Sequence, residues 1–529
     1  MKLFNYISAA FVFAAVAVGC TKLDTQPYGS TVTSAQKANV VAANPAMVSA
    51  SVSGITAMFS VYMNITGSRH NDFGYPSVML FMDTRGTDLV GDDIGYNWFS
   101  YGLDMMTDHV YTSLITETVW GTLYNQIYTA NQVVAIMDPE TEESVAQYYL
   151  AQALAIRAFD YFNLAQIYQH TYKGHENAPC VPLILDTNAD LVAAEGCARN
   201  TVQEVYDQIM KDLNLAVELL EKTQEVRPDK RYVSLSVAKG LRARVELVMQ
   251  NYEAALADAN AVLELAEATP KSLTDAAKPT FKDMTEEDWL WGISIAETDR
   301  VVTSGIVNWP SHMGSLNYGY ASVGAWRRVS KKLYNAIPDT DVRKGWFLDG
   351  DSMSGNLTAE QQAYVIKNSM PGYTQVKFAP YKDELNSSTN ANDIPLMRIE
   401  EIYLIKAECE AQLNKAAEAA ETLKSFVTTY RNPAYDVAVN KDVILSAVDF
   451  QRRVELWGEG LTYFDILRNN KGFDRRGCGF EENYVFVISP EDPILIYQIP
   501  KAEIEANKLI NESDNNPGAT TPTPVPDVE

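Results

Sequence analysis

Apolar residues recur with a helical period through the middle of the chain. Val202, Val205, Ile209, Leu213, Ala216 and Leu220 step by 3, 4, 4, 3 and 4, which lays one apolar stripe along a helix. Leu150, Leu154, Ala158, Phe162 and Ala165 do the same on an earlier one, and the pattern predicts helix from about 115 to 268. Within it, a helix from Ser234 to about Gln250, a turn at Asn251 and a helix from Tyr252 to Ala266 form a pair. Ala238, Leu241, Ala243, Leu247, Tyr252, Ala255 and Ala259 supply small and apolar contacts that let the two pack closely. A second pair runs from Arg398 to Gln412 and from Lys415 to Tyr430, across a turn at Leu413-Asn414. It repeats the logic with Tyr403, Leu404, Ala407, Leu413, Ala416 and Ala420.

Both pairs resemble tetratricopeptide repeats, whose outer apolar face only a neighbouring element can cover. Between them, residues 270–395 lose the helical period and are rich in Gly, Ser, Asn, Thr and aromatics, as are residues 64–112. Both stretches read as irregular, surface-forming regions with short strands or turns. From Asn515 the chain turns Pro/Thr-rich, and the segment 513–529 reads as a disordered tail.

The first residues follow another logic. After Lys2, an apolar run from Ile7 to Val18 is too short to span a bilayer as a helix and reads as a secretory signal, residues 1–19. It ends Ala17-Val18-Gly19-Cys20, which resembles a bacterial lipobox, with Ala17 where Leu is commoner. The resemblance implies cleavage before Cys20 and a diacylglycerol on its thiol, followed by a small, polar tether over 20–45. No later stretch is apolar enough to cross a membrane.

Composition narrows the function. A formal net charge of −25 on 529 residues argues against nucleic acid, whose phosphates demand a basic face, and against docking on anionic lipid. The five cysteines form no CxxC pair. Cys180 and Cys197 flank one loop-like stretch and are candidates for a bridge, whereas Cys409 lies in a helical pattern and reads as core. No two of the five histidines stand four apart, and no phosphate-loop, dinucleotide, zinc-protease or nucleophile-elbow motif occurs. Asp349-Gly350-Asp351 with Glu360 imitates a calcium loop, but Met353 and Ser354 break it. No cofactor and no metal is expected.

An ordered series of motifs then resembles one family. Leu23-Asp24 and Pro27 are followed by Trp120, Tyr124, Ile127 and Asn131. Next come residues 155–162 (AIRAFDYF), Val181-Pro182-Leu183, Val205-Tyr206 and Asp212-Leu213. Later come residues 396–404 (LMRIEEIYL), then Arg452-Arg453, Glu455-Leu456, Glu459-Gly460, Asp465 and Arg468, and finally Tyr497 to Pro500, Glu503 and Asn511. This is similar to the SusD/RagB family of Bacteroidetes outer-membrane lipoproteins. Gln451 departs from the usual Glu, and Thr462 from the usual Arg. The resemblance implies a mainly α, SusD-like fold over 46–512, with tetratricopeptide-like helix pairs (about 115–268 and 396–470) and a loop-rich insert (about 270–395) forming a ligand face. It also implies a lipid-anchored, cell-surface protein of the outer membrane, with a SusC-like TonB-dependent transporter as partner.

Sugar binding needs flat aromatic faces beside polar groups that fork to hydroxyls. Asp92, Asp93, Tyr96, Asn97, Trp98 and Tyr101 offer both within ten residues, where the resemblance places an early ligand-contacting loop. Trp309, His312, Asn317, Tyr318 and Tyr320 form a second cluster between glycines. Trp120, Tyr124 and Tyr128 stand at helical spacing and read as core. The charges at 452–468 read as ion pairs fixing helix ends rather than as catalytic carboxylates. The expected function is non-enzymatic capture of an oligosaccharide or polysaccharide for the transporter. A peptide-binding member of the same family and a two-carboxylate glycosidase are the alternatives.

Overall fold

The computed structural model describes residues 34–63, 65, 70–94 and 98–528. Cys20, Tyr96 and Asn97 lie outside them. The helices that build the body are α1 (Tyr75–Arg85), α2 (Leu114–Val134), α3 (Ser144–Tyr168), α4 (Val202–Lys222), α5 (Leu235–Val248), α6 (Tyr252–Leu265), α7 (Ile399–Gln412), α8 (Ala416–Tyr430) and α9 (Lys441–Glu455). Each helix from α2 to α8 packs on the next, and α9 returns to α7.

Local chemistry sets their ends. Ser113 and Ser234 cap α2 and α5, and Thr201 with Glu204 forms a capping box on α4. Gln250 and Asn414, with φ of 62° and 60°, turn the chain between the two helices of each pair. The six stripe positions of α4 are all buried, as the periodicity predicts. Gly240 lets α5 come down on Met397, because a Cβ there would stand 2.6 Å from the sulfur.

Helix α3 differs from a one-sided stripe: it is buried almost all round, between α2 and α4. Its Arg157 explains how a charge survives there. The guanidinium forks onto Asp212 of α4 at 2.7 Å for both bonds and donates to Asn131 of α2 at 2.8 Å. Three separate sequence motifs thus meet at one side chain. Arg244 does the same between α5 and α7, donating to Glu401 and to the Leu396 carbonyl.

The charges at 452–468 do pair, but only partly with each other. Asp465 accepts from Arg452 at 2.7 Å and from Arg468 at 2.6 Å. Buried Glu455 instead meets Arg343, Arg398 and Arg431, at 3.1, 3.0 and 2.7 Å. Glu459 meets Lys377 and Arg398, and Arg453 forks onto Asp88. These long-range partners tie the loop-rich insert to the helical body.

Short strands complete that tie. β1 (Leu89–Val90) pairs antiparallel with β3 (Arg328–Val329), β2 (Trp289–Ile293) with β4 (Ile394–Arg398), and β5 (Phe473–Asp474) with β6 (Val487–Ile488). β4 runs directly into α7.

Two expectations are corrected. The Pro/Thr-rich end is not a free tail: Asn516 is buried and donates to the Tyr168 and Tyr497 carbonyls, and the Val525 amide donates to Val485 at 2.9 Å. Cys180 and Cys197 are both free thiols, the first fully buried and the second half-buried. Among the described residues no helix is long and apolar enough to cross a membrane.

Candidate ligand-binding face

The β1–β3 pair is the device that joins the two loop-rich regions. Its register sets Val90 against Arg328 and Leu89 against Val329, so the chain entering the Asp92 loop runs beside the chain leaving the Tyr320 turn. Asp92 closes an ion pair with Arg328 directly beyond the strand. The consequence is that Trp98 and Tyr320, 222 residues apart, touch: the Trp98 indole N–H donates to the Tyr320 hydroxyl at 3.0 Å.

A third ring joins them. The Tyr320 hydroxyl also bonds His70 Nδ1. An indole N–H only donates, so the hydroxyl accepts from Trp98. Burial pushes the His70 pKa down. The His70 ring lies 5.5 Å from Trp98 and 5.9 Å from Tyr320.

Beneath Tyr320 stands a column. His312 stacks on it at 4.5 Å and 12°, and Phe73 stacks on the other side of His312 at 5.6 Å. His312 Nε2 donates to the His70 carbonyl at 2.7 Å, and burial holds the ring well below the usual histidine range. The column fixes the tilt of Tyr320, and Tyr320 fixes Trp98.

The proposed site residues therefore divide. Trp98 and Tyr101 are half-buried, and Tyr318 presents its ring to solvent at 45% exposure. The Tyr318 backbone is pinned, by its amide to Ser387 and by its carbonyl to Asn390. Tyr320, expected at the ligand, is buried and instead holds Trp98. Trp309, His312 and Asn317 are corrections to the sequence reading, because all three are internal. Trp309 packs edge-on against Phe378 at 4.8 Å, and Asn317 spends its amide on Asn392 and its carbonyl on the Tyr381 amide. They shape the turn rather than face solvent.

Charge on this face is mainly acidic. Asp92, paired to Arg328, and Asp93 stand beside Glu481, whose carboxyl is pushed up by burial and then by Asp92. His70 and Phe73 lie in no periodic stretch and carry no motif that would single them out. Their contacts with Trp98, Tyr320 and His312 place them in the site. A larger cavity of about 730 Å³ lies elsewhere, against residues 509–517. Several of its polar side chains (Gln169, Asn515, Asn516) are already committed to backbone groups, and no Trp, Tyr or Phe lines it.

Comparison with known proteins bears on the family and the fold. Residues 86–247 match a family model described as starch-binding and associating with the outer membrane, and residues 349–518 match that of the SusD family. A curated relative, SusD-like protein P38 of Formosa agariphila, is 24% identical over 420 residues, covering 71% of this chain and 76% of its own. A SusD-like carbohydrate binding protein from Bacteroides vulgatus superposes with a TM-score of 0.72 at 22% identity, over 88% of this chain and 97% of that one. Surface glycan-binding protein A from Bacteroides thetaiotaomicron, solved in complex with laminarihexaose, does so at 0.63 and 18%, over 89% and 99%. From ordered motifs, helical body and matched family models together, the chain belongs to the SusD/RagB family.

Proposed function

We propose that this protein is a lipid-anchored surface protein of the outer membrane that captures a glycan and passes it, uncleaved, to a SusC-like TonB-dependent transporter. The observation that carries the binding role is the hydrogen-bonded set of Trp98, Tyr320 and His70, with the exposed Tyr318 two residues from Tyr320 in the chain. Rings held before the ligand arrives do not lose rotamer freedom on binding, so their stacking on sugar C–H faces is retained as affinity. The acidic rim formed by Asp93 and Glu481 favours neutral glycans over uronic or sulfated ones, since like charges across an interface are costly.

The anchor reading rests on the Ala17-Val18-Gly19-Cys20 motif, outside the described residues. Cys20→Ser should release the protein from membranes after a salt wash, because acylation supplies the membrane affinity. A variant still membrane-bound would remove that part of the proposal. For the ligand, residues 21–529 are titrated with laminarihexaose, other neutral glucans, uronic-acid polymers and peptides. Binding to a neutral glycan with no breakdown product is the expected result. Peptide binding alone would overturn the sugar reading, and cleavage would overturn the non-enzymatic one.

A further inference from the structure

The loop that carries Asp92, Asp93, Trp98 and Tyr101 has to be held at its two stems, and one buried cation does so without any acid. Arg475 follows β5 and is fully buried. Its Nε donates to the Gly86 carbonyl at 3.1 Å. Nη1 donates to Leu103 at 2.6 Å and Tyr484 at 3.2 Å, and Nη2 to Arg85 at 2.9 Å and Thr84 at 3.4 Å. A guanidinium has five N–H groups, and here all five acceptors are main-chain carbonyls. The neighbouring Arg85, in contrast, pairs with Asp108.

The addresses of those carbonyls are the informative part. Thr84, Arg85 and Gly86 are where α1 ends and the loop begins, Leu103 is where the loop returns, and Tyr484 is in the β5–β6 hairpin. Gly102 permits the close approach of the stems, since a Cβ there would stand 2.7 Å from Thr84 Oγ1. Rings hold the cation from its other sides, with Phe480 at 4.4 Å and Phe473 and Phe486 at 5.6 Å. Burial, and then the charge of Arg85, push the guanidinium down to about 9, so it stays cationic at neutral pH.

We infer that Arg475 is a positioning residue for ligand binding, a clamp that closes the 86–103 loop at both stems and so sets where Trp98 meets Tyr320. It touches no ligand, and the inference rests on the reading of the Trp98 face given above. Lys keeps the charge but has three donors from one point and cannot reach five carbonyls in a plane.

The test is Arg475→Lys in the chain 21–529, followed by hydrogen exchange and by titration with laminarihexaose. Faster exchange confined to 84–103 and the β5–β6 hairpin is expected. So is an affinity about tenfold weaker, the equivalent of one lost polar contact. If the Lys variant does not fold, Phe480→Leu, which removes the nearest ring and keeps all five carbonyl bonds, should show the same pattern more weakly. Exchange that is unchanged, or that rises evenly through the protein, overturns the clamp, as does wild-type affinity in a folded variant. If laminarihexaose does not bind the wild type, the exchange result decides. Trp98→Ala run beside it separates the two ideas: retained binding there sinks the site reading, whereas lost binding there with retained binding in the Arg475 variant sinks only the clamp.

Discussion

At the scale of single residues, burial has moved several side chains away from their solution chemistry. Asp83 sits in the last turn of α1 with one carboxylate oxygen on the Gly460 amide and the other without a hydrogen bond. Burial pushes its pKa up to about 8. The folded protein therefore holds a proton that the unfolded chain gives up near pH 4, and the stability this group contributes falls as pH rises from there to about 8. Asp83→Asn keeps the shape and cannot lose a proton. The variant should gain stability relative to wild type as pH rises from 5 to 8, by up to about 1.4 kcal/mol per pH unit. Paired denaturant curves across that range measure it, and a constant difference would contradict the assignment. Other groups titrate in the same window, including the histidines that burial holds neutral. Only the difference between the two proteins isolates Asp83.

Residue type alone also misjudged part of the candidate site. Trp309, His312 and Asn317 look like ligand groups because aromatics and amides between glycines are costly to leave exposed. They are not left exposed, and each has a partner from another segment: Phe378, His70 and Asn392. Tyr318 follows the same sequence logic and does face solvent. What separates them is the path of the 309–328 chain over β3, which no local pattern records.

At the scale of elements, periodicity was a good guide where one face is buried. The α4 stripe and both helix pairs appear where the apolar spacing puts them. It was a poorer guide to α3, which carries apolar residues on all sides and is buried almost all round, with Arg157 paired to Asp212 and Asp186. The C-terminal segment shows the reverse failure. Its Pro/Thr composition suits a solvated chain, but the Asn516 amide and the Val525 backbone fasten it to the body. The acidic and basic residues of α9 were legible as structural, though not their partners. Glu455 alone answers three arginines, from three other segments. Glu455→Gln should leave those cations undercompensated in a dry interior and cost about 3–5 kcal/mol. Urea unfolding measures this, and a loss below about 1 kcal/mol would show that the cluster reorganises around a neutral partner.

At the scale of the whole molecule, the helix pairs act as a frame, and the two loop-rich regions meet in the face proposed for the ligand. The frame was legible because each pair repeats a local pattern. The face was not, because it depends on a two-residue ladder between strands more than two hundred residues apart. From that ladder follow the Trp98–Tyr320 contact, the third ring of His70, and the need for a clamp such as Arg475 at the loop stems.

The central claim is that this face binds a neutral glycan through its fixed rings. Calorimetric titration of the wild type and of Trp98→Ala with the best neutral glucan of the panel tests it most directly. Saturable binding without breakdown products is expected in the wild type, and at least about a tenfold loss in the variant, as for removing a central aromatic anchor. Equal affinity in the two proteins would contradict it and send the search for the site to another part of the surface.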